Sequence, residues 1–231
     1  MAPPELNDVG MTQHLYPVVF DLDGTLIDSA PDLHRAANDV LAAHGIQPLT
    51  LEIVRSFIGG GVDMLWQKII AETDLNQADR PRLVNEFIVA YGEGSGLTRL
   101  YPGVIEALRL LADRGHPLGI CTNKPMAPTQ AVLQNFGIAH LFGVVIAGDS
   151  LPVRKPDAAP LLGAFHELGG VGAFVGDSEF DAACAQNAGV KFLLFTEGYR
   201  KSKIEDLYHS ATFSDFHELP PLVERHFSVV D

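Results

Sequence analysis

Five short apolar runs, rich in β-branched and aromatic residues, alternate with segments of helical length, and that alternation leaves few folds open. The runs are YPVVF at 16–20, PLGICT at 117–122, GVVIA at 143–147, AFVG at 173–176 and FLLF at 192–195. Amphipathic helical patterns occupy 104–113, 129–136, 158–168 and 181–188 between them. A short run that is apolar at nearly every position suits a strand buried on both faces, and such strands are joined in parallel through crossover helices. The pattern therefore predicts an α/β fold, a doubly wound parallel sheet with helices on both faces.

One stretch breaks the alternation. Residues 29–98 offer no convincing strand and instead carry successive helical patterns, the first with Ser29 and Asp32 at capping-box spacing and with Leu33, Ala36, Ala37, Val40 and Leu41 on one face before Gly45. Further patterns run over 51–58, 62–72 and 82–91, where Leu65, Trp66, Ile69 and Ile70 suit a helical core. With 231 residues the chain is long enough for two units. The expected division is a helical cap at 29–98 inserted after the first strand, and a sheet domain built from 1–28 and 99–231. Residues 1–15 lack the basic start and apolar stretch of a secretory signal and read as a flexible tail, with Met11 a candidate second start.

Composition narrows the function. A formal net charge of −13 points away from nucleic acid, whose backbone is held by excess Lys and Arg. No apolar stretch reaches the roughly 18 residues of a membrane span. Two cysteines, Cys121 and Cys184, read as buried small apolar residues in a reducing, cytoplasmic setting, and the nine histidines show no zinc spacing. The expected partner is a small metabolite, for a monomer or homodimer.

Four polar constellations stand at the C-terminal ends of the predicted strands, where an open parallel sheet places its ligand crevice. They are Asp21-Leu22-Asp23-Gly24-Thr25, Thr122-Asn123-Lys124, Lys155-Pro156, and Gly176-Asp177-Ser178-Glu179-Phe180-Asp181. The carboxylates of Asp21, Asp23 and Asp177 would by themselves repel a phosphate. A hard divalent cation such as Mg²⁺ reverses that sign, since it takes carboxylates and waters and bridges to phosphate oxygens. With Lys155 and the donors of Thr122 and Asn123, it would surround a transferring phosphoryl group with positive charge.

The string FDLDGTLIDS at 20–29, with Thr122-Asn123-Lys124, Lys155-Pro156 and GDSEFD at 176–181, resembles the four motifs of the haloacid dehalogenase superfamily of aspartate-nucleophile phosphatases, over residues 16–219. Within it the chain is similar to the phosphoglycolate phosphatase group, through DSAPDL, VRSFIGGGVDML, YPGVIEAL, CTNKP, GDSLPVRKPD, NAG and EGY. The resemblance implies a Rossmann-like core with a helical cap and a small phosphate ester as substrate, 2-phosphoglycolate before a sugar phosphate. It implies Asp21 as nucleophile and metal ligand, and Asp23 as general acid and base whose backbone carbonyl also meets the metal. Thr122 and Asn123 would hold phosphoryl oxygens, Lys155 would stabilise charge, Asp177 would bind the metal, and Asp181 would fix a water or Lys155. A non-catalytic binding protein on the same fold is the reading of another class.

The chain departs from the group at Ala159, where proline is frequent, and at Glu179 and Phe180 between the last two acids, with Glu179 adding charge near the metal. Gly59-Gly60-Gly61 lacks the lysine and the preceding strand of a nucleotide P-loop and reads first as a turn in the cap. Its backbone, with Gly60 at the centre, and Arg55 are the candidates for the non-phosphate end of the substrate.

Overall fold

In the computed structural model, which describes residues 15–92, 94 and 96–227, the first apolar run becomes β1 (Val18–Phe20). It is shorter than the run because Pro17 has no N–H for a ladder, although its carbonyl accepts from Ala173. The tail and Met11 lie outside the described residues, apart from Leu15, which is exposed.

After β1 the chain forms β2 (Ile27–Asp28), then α1 (Ala30–Ala43), α2 (Leu51–Arg55), α3 (Val62–Ala71) and α4 (Arg80–Gly92), and returns through β3 (Arg99–Leu100). β2 and β3 pair antiparallel, Ile27 with Leu100 and Asp28 with Arg99. From there helices and strands alternate: α5 (Val104–Asp113), β4 (Leu118–Cys121), α6 (Met126–Asn135), β5 (Val144–Ile146), α7 (Ala159–Glu167), β6 (Ala173–Gly176), α8 (Glu179–Ala188), β7 (Lys191–Phe195), β8 (Ala211–Phe213) and α9 (Leu219–Phe227). The parallel sheet runs in the order β5-β4-β1-β6-β7-β8. The chain winds outward from β1 to β5, then crosses back to β6 on the other side of β1. The switch point thus flanks β1.

Alternation along each strand divides the core. Val18 and Phe20, Ala173 and Val175, and Leu193 and Phe195 enter one cluster with α5 and α9. Val19, Phe174, Phe192 and Leu194 enter the other with α7 and α8. Both faces of the sheet are covered, as the continuous apolar runs required. A third cluster joins α1 to α4 around Trp66 and Phe87, whose rings meet edge to face at 6.0 Å, with Leu65, Ile69 and Ile70 buried beside them.

The capping box expected at Ser29 is not formed. The Ser29 side chain makes no cap, and Asp32 accepts instead from the N–H and hydroxyl of Thr98, at 2.7 and 2.6 Å, across the insertion. The Ser29 hydroxyl turns back to Asp23, and Asp32 makes a long-range contact that local spacing does not reveal. A capping box is formed instead at Ser178 and Asp181, at the start of α8.

Candidate active site

Register gathers the motifs. Phe20 pairs with Ile120 on β4 and with Val175 on β6, so Asp21, Thr122 and Asp177 leave three neighbouring strands within two residues of a common level. Asp21 ends the central strand, and the loop after β5 brings Lys155 to it, with Nζ 2.7 Å from Asp21 Oδ1 and 2.6 Å from Asp181 Oδ1. The first of these contacts lacks hydrogen-bond alignment, so Asp21 Oδ1 is buried without accepting a hydrogen bond.

Asp181 acts as the frame. Its Oδ2 accepts from the N–H and hydroxyl of Ser178 at 3.0 and 2.6 Å and from the N–H of Asp177 at 3.3 Å, while Oδ1 holds Lys155. One carboxylate thereby fixes the start of α8, the backbone of Asp177 and the ammonium. Asp177 in turn accepts from Thr25 Oγ1 and from the N–H of Tyr199, both at 2.7 Å. Gly24, at φ +88°, allows this approach, since a Cβ there would lie 2.4 Å from Asp177 Oδ2.

Asp21, Asp177 and Asp181 each bring a carboxylate oxygen within 4.8 Å of the others, and all three are buried. Burial pushes the Asp21 carboxyl up to about 7, with Asp181 adding to the rise and Lys155 opposing it. Asp177 is raised well above its ordinary value by burial, then by Asp181 and Asp21. Burial pulls Lys155 down, but the pull of Asp181 and Asp21 outweighs it and the ammonium is held charged. Three buried carboxylates against one ammonium, all hard oxygen donors and one of them accepting no hydrogen bond at Asp21 Oδ1, fit a divalent cation.

The clustered side chains include Asp21 and Asp177 of the expected set, joined by Asp181. The Asp23 carboxylate stands apart from that cluster, accepting from Ser29 Oγ at 2.5 Å and from Lys124 Nζ at 3.1 and 3.3 Å. Thr122 is buried beside Asp21, and its Oγ1 accepts from the N–H of Lys124. Asn123 uses its side-chain amide to bind the carbonyls of Gly59 and Lys155, at 2.9 and 3.0 Å, and so ties the glycine loop to the lysine loop.

That loop packs closely on the core. A Cβ at Gly59 would lie 3.0 Å from the Phe180 ring, and one at Gly61, where φ is +85°, would lie 3.0 Å from Arg154 and 3.1 Å from the carbonyl of Asn123. A cavity of about 510 Å³ opens between Asp21, Asp23, Thr122 and Lys124 below and Leu33, Val62, Leu65 and Phe87 above. Gly59 and Gly61 line it; Gly60 and Arg55 do not. Arg55 binds Asp28 at 2.9 Å and lies over the ring of Tyr199. Glu179 lies outside the acidic cluster and accepts from the N–H groups of Lys201 and Ser202, at 2.7 and 2.6 Å.

Sequence reasoning assigned no role to Lys124, Tyr91, Thr25 or Tyr199. Lys124 and Thr25 lay inside the quoted motifs, where a buried position at a strand end is the available signal. Tyr199, on the loop after β7, ends the quoted string EGY, whereas Tyr91 reaches the site from α4 and local pattern gives no pointer to it.

Comparison with known proteins gives the same picture. Residues 18–195 match the family model described as haloacid dehalogenase-like hydrolase. A curated phosphoglycolate phosphatase of Cereibacter sphaeroides is 46% identical over 212 residues, 90% of this chain and 97% of that protein. One of Rhodobacter capsulatus is 44% identical over 215 residues, 90% and 96% of the two chains. A crystal structure described as a predicted phosphoglycolate phosphatase from Haemophilus somnus 129PT superposes with a TM-score of 0.84 at 35% identity, covering 92% of this chain and 99% of that one. Sheet order, the aspartate at the end of the central strand and likeness along nearly the whole chain agree, and the chain belongs to the haloacid dehalogenase-like hydrolase family.

Proposed function

We propose that this chain is a Mg²⁺-dependent phosphatase that hydrolyses 2-phosphoglycolate to glycolate and phosphate through an aspartyl-phosphate intermediate. The observation that carries the reading is Asp21: a buried carboxylate at the end of the central strand, 2.7 Å from a lysine, with one oxygen accepting no hydrogen bond. The names of the relatives at 44–46% identity support the substrate.

In this reading an oxygen of Asp21 attacks phosphorus, and the bond to the ester oxygen breaks. Asp23 gives its proton to that leaving oxygen, then takes one from the water that cleaves the aspartyl phosphate, regenerating Asp21 and releasing phosphate. Lys155 offsets charge on Asp21 and the phosphoryl oxygens, and Thr122 offers its hydroxyl to one of them. Asp21, Asp177 and the backbone carbonyl of Asp23 would hold the cation, which when bound neutralises developing negative charge. The helices of 29–98 serve as a cap that excludes water around the leaving group. A cytoplasmic location is part of the same reading, supported by two buried free cysteines.

The apolar upper wall of the cavity, Leu33, Val62, Leu65 and Phe87, favours a second reading, a phosphate ester of a bulkier alcohol such as a sugar. Phosphate release measured with Mg²⁺ over 2-phosphoglycolate, sugar phosphates, nucleotides and pyrophosphate separates the two. Highest kcat/KM on 2-phosphoglycolate is the expected result, and a sugar phosphate in first place overturns it.

A further inference from the structure

Lys155 is paired with Asp21 and Asp181. A second buried ammonium, Lys124, is paired with Asp23. Among the described residues lining the cavity it is the sole lysine or arginine. Its Nζ is 2.8 Å from the hydroxyl of Tyr91 and 4.6 Å from the centroid of that ring, besides the 3.1 and 3.3 Å contacts to Asp23. The backbone cannot drift, because its N–H is held by Thr122 Oγ1 and its carbonyl accepts from Gly148 at 2.8 Å. The walls above it, Leu33, Val62, Leu65 and Phe87, are uncharged, and the other charged groups among the described residues lining the cavity are the carboxylates of Asp21, Asp23 and Asp149.

Building on the phosphatase reading above, we infer that Lys124 is the specificity-determining residue of this site, binding a carboxylate carried on the same carbon as the ester oxygen of the substrate. The distances set that spacing. Asp23 must reach the ester oxygen to protonate it, and Lys124 Nζ stands within 3.3 Å of both oxygens of Asp23. A group paired with Lys124 is then a close neighbour of the ester oxygen, which suits a carboxylate one carbon away and excludes one at the end of a longer chain. An ammonium carries three donors, which here meet the two oxygens of Asp23 and the Tyr91 hydroxyl; when Asp23 turns one oxygen to the ester oxygen of the substrate, the donor it releases serves the ligand. In a cavity with apolar walls that charge-assisted bond has little competition from water. Tyr91 belongs to α4, so the cap orients the selecting residue although the core supplies it. Arg55, the cation expected for this duty, is held elsewhere by Asp28 and Tyr199.

The test compares two substrates with the same two-carbon skeleton, 2-phosphoglycolate and monoethyl phosphate, on the Mg²⁺-loaded full chain. The readout is the ratio of their kcat/KM values. Lys124→Met is expected to lower the ratio by about 10- to 150-fold, mainly through KM for 2-phosphoglycolate, the loss of one charge-assisted hydrogen bond. Lys124→Arg should restore part of it, and Tyr91→Phe should lower it by a smaller factor. Equal losses on both substrates would mean that Lys124 acts only through Asp23, and would overturn the proposal, as would an unchanged ratio. Should Lys124→Met lose its folding transition, Lys124→Gln and Tyr91→Phe give the reading, and an unchanged ratio in both overturns it. A wild-type enzyme without preference for 2-phosphoglycolate over ethyl phosphate overturns the substrate reading and the proposal together. A preference kept by Lys124→Met overturns the proposal alone.

Discussion

Tyr199 fastens Asp177 from behind: its backbone N–H donates to Asp177 Oδ2 at 2.7 Å. The hydroxyl at the other end of the same side chain donates to Asp28 Oδ1 at 2.7 Å and accepts from the N–H groups of Ser29 and Ala30, at 2.8 and 3.0 Å. One residue thus links an acid of the cluster to the point where the chain leaves the sheet for the helices.

Tyr199→Phe removes the three hydroxyl bonds and leaves buried polar groups behind, so a loss of about 1–3 kcal/mol is expected in urea unfolding. The bond from the backbone to Asp177 survives, and Mg²⁺ affinity, read by titration, should stay within a few-fold of wild type. Unchanged stability would show that the hydroxyl does not hold the start of α1.

The raised pKa of Asp21 makes the metal-free protein sensitive to pH. Its carboxyl ionises at about 7 folded against an ordinary 3.8, so between these values the folded chain holds a proton that the unfolded chain has lost. Stability in chelator should therefore fall as pH rises from about 4 to about 7, by up to about 1.4 kcal/mol per unit, with Asp177 shifted in the same direction. Below 3.8 both states are protonated and the contribution vanishes. Saturating Mg²⁺ favours the ionised form and should flatten the slope, as should Asp21→Asn. Urea midpoints at pH 5, 6, 7 and 8, with and without Mg²⁺, check this; a rising slope in chelator contradicts it.

Chelator should also abolish phosphate release, and Mg²⁺ should restore it, because three carboxylates face a dianionic substrate. Turnover that persists in excess chelator would remove the metal from the reaction.

Asp21→Asn should fold and lose turnover by several orders of magnitude, since an amide is a poor nucleophile. Asp23→Asn should slow release by about 10² to 10⁴-fold and, in rapid quench with labelled substrate, accumulate phosphate on the protein. Near-native turnover in Asp21→Asn would require another nucleophile.

Arg55→Ala should cost less than about 1 kcal/mol, because its pair with Asp28 is solvent-screened, with side chains 42% and 30% exposed. Its kcat/KM values for 2-phosphoglycolate and for an aryl phosphate should change by the same factor. A loss confined to 2-phosphoglycolate would return Arg55 to the substrate.

The sheet was legible because residues 16–20, 117–122, 173–176 and 192–195 are apolar at nearly every position, too short for helices and rich in β-branched and aromatic residues, a pattern that suits a strand covered on both faces. β8 (Ala211–Phe213) and the ribbon of Ile27–Asp28 with Arg99–Leu100 escaped notice, being two or three residues long and without periodicity. The helical pattern at 129–136 starts three residues after α6 does at Met126; Pro128 stands in the first turn, where its missing N–H has no intrahelical partner to lose. Site residues on the sheet were legible as polar endings to apolar runs. Tyr91 and Tyr199 were not, since their contacts to Lys124 and Asp177 cross 33 and 22 positions of chain.

The pairing of Ile27 with Leu100 and Asp28 with Arg99 brings the departing and returning chain side by side, roughly 5 Å apart as in any antiparallel pair. For the sheet, seventy residues of helices amount to a loop of almost no span. Evolution can therefore lengthen, trim or exchange that segment as a cassette, and a graft from a relative needs to match only this two-residue clasp for Asp21 to stay where β1 puts it.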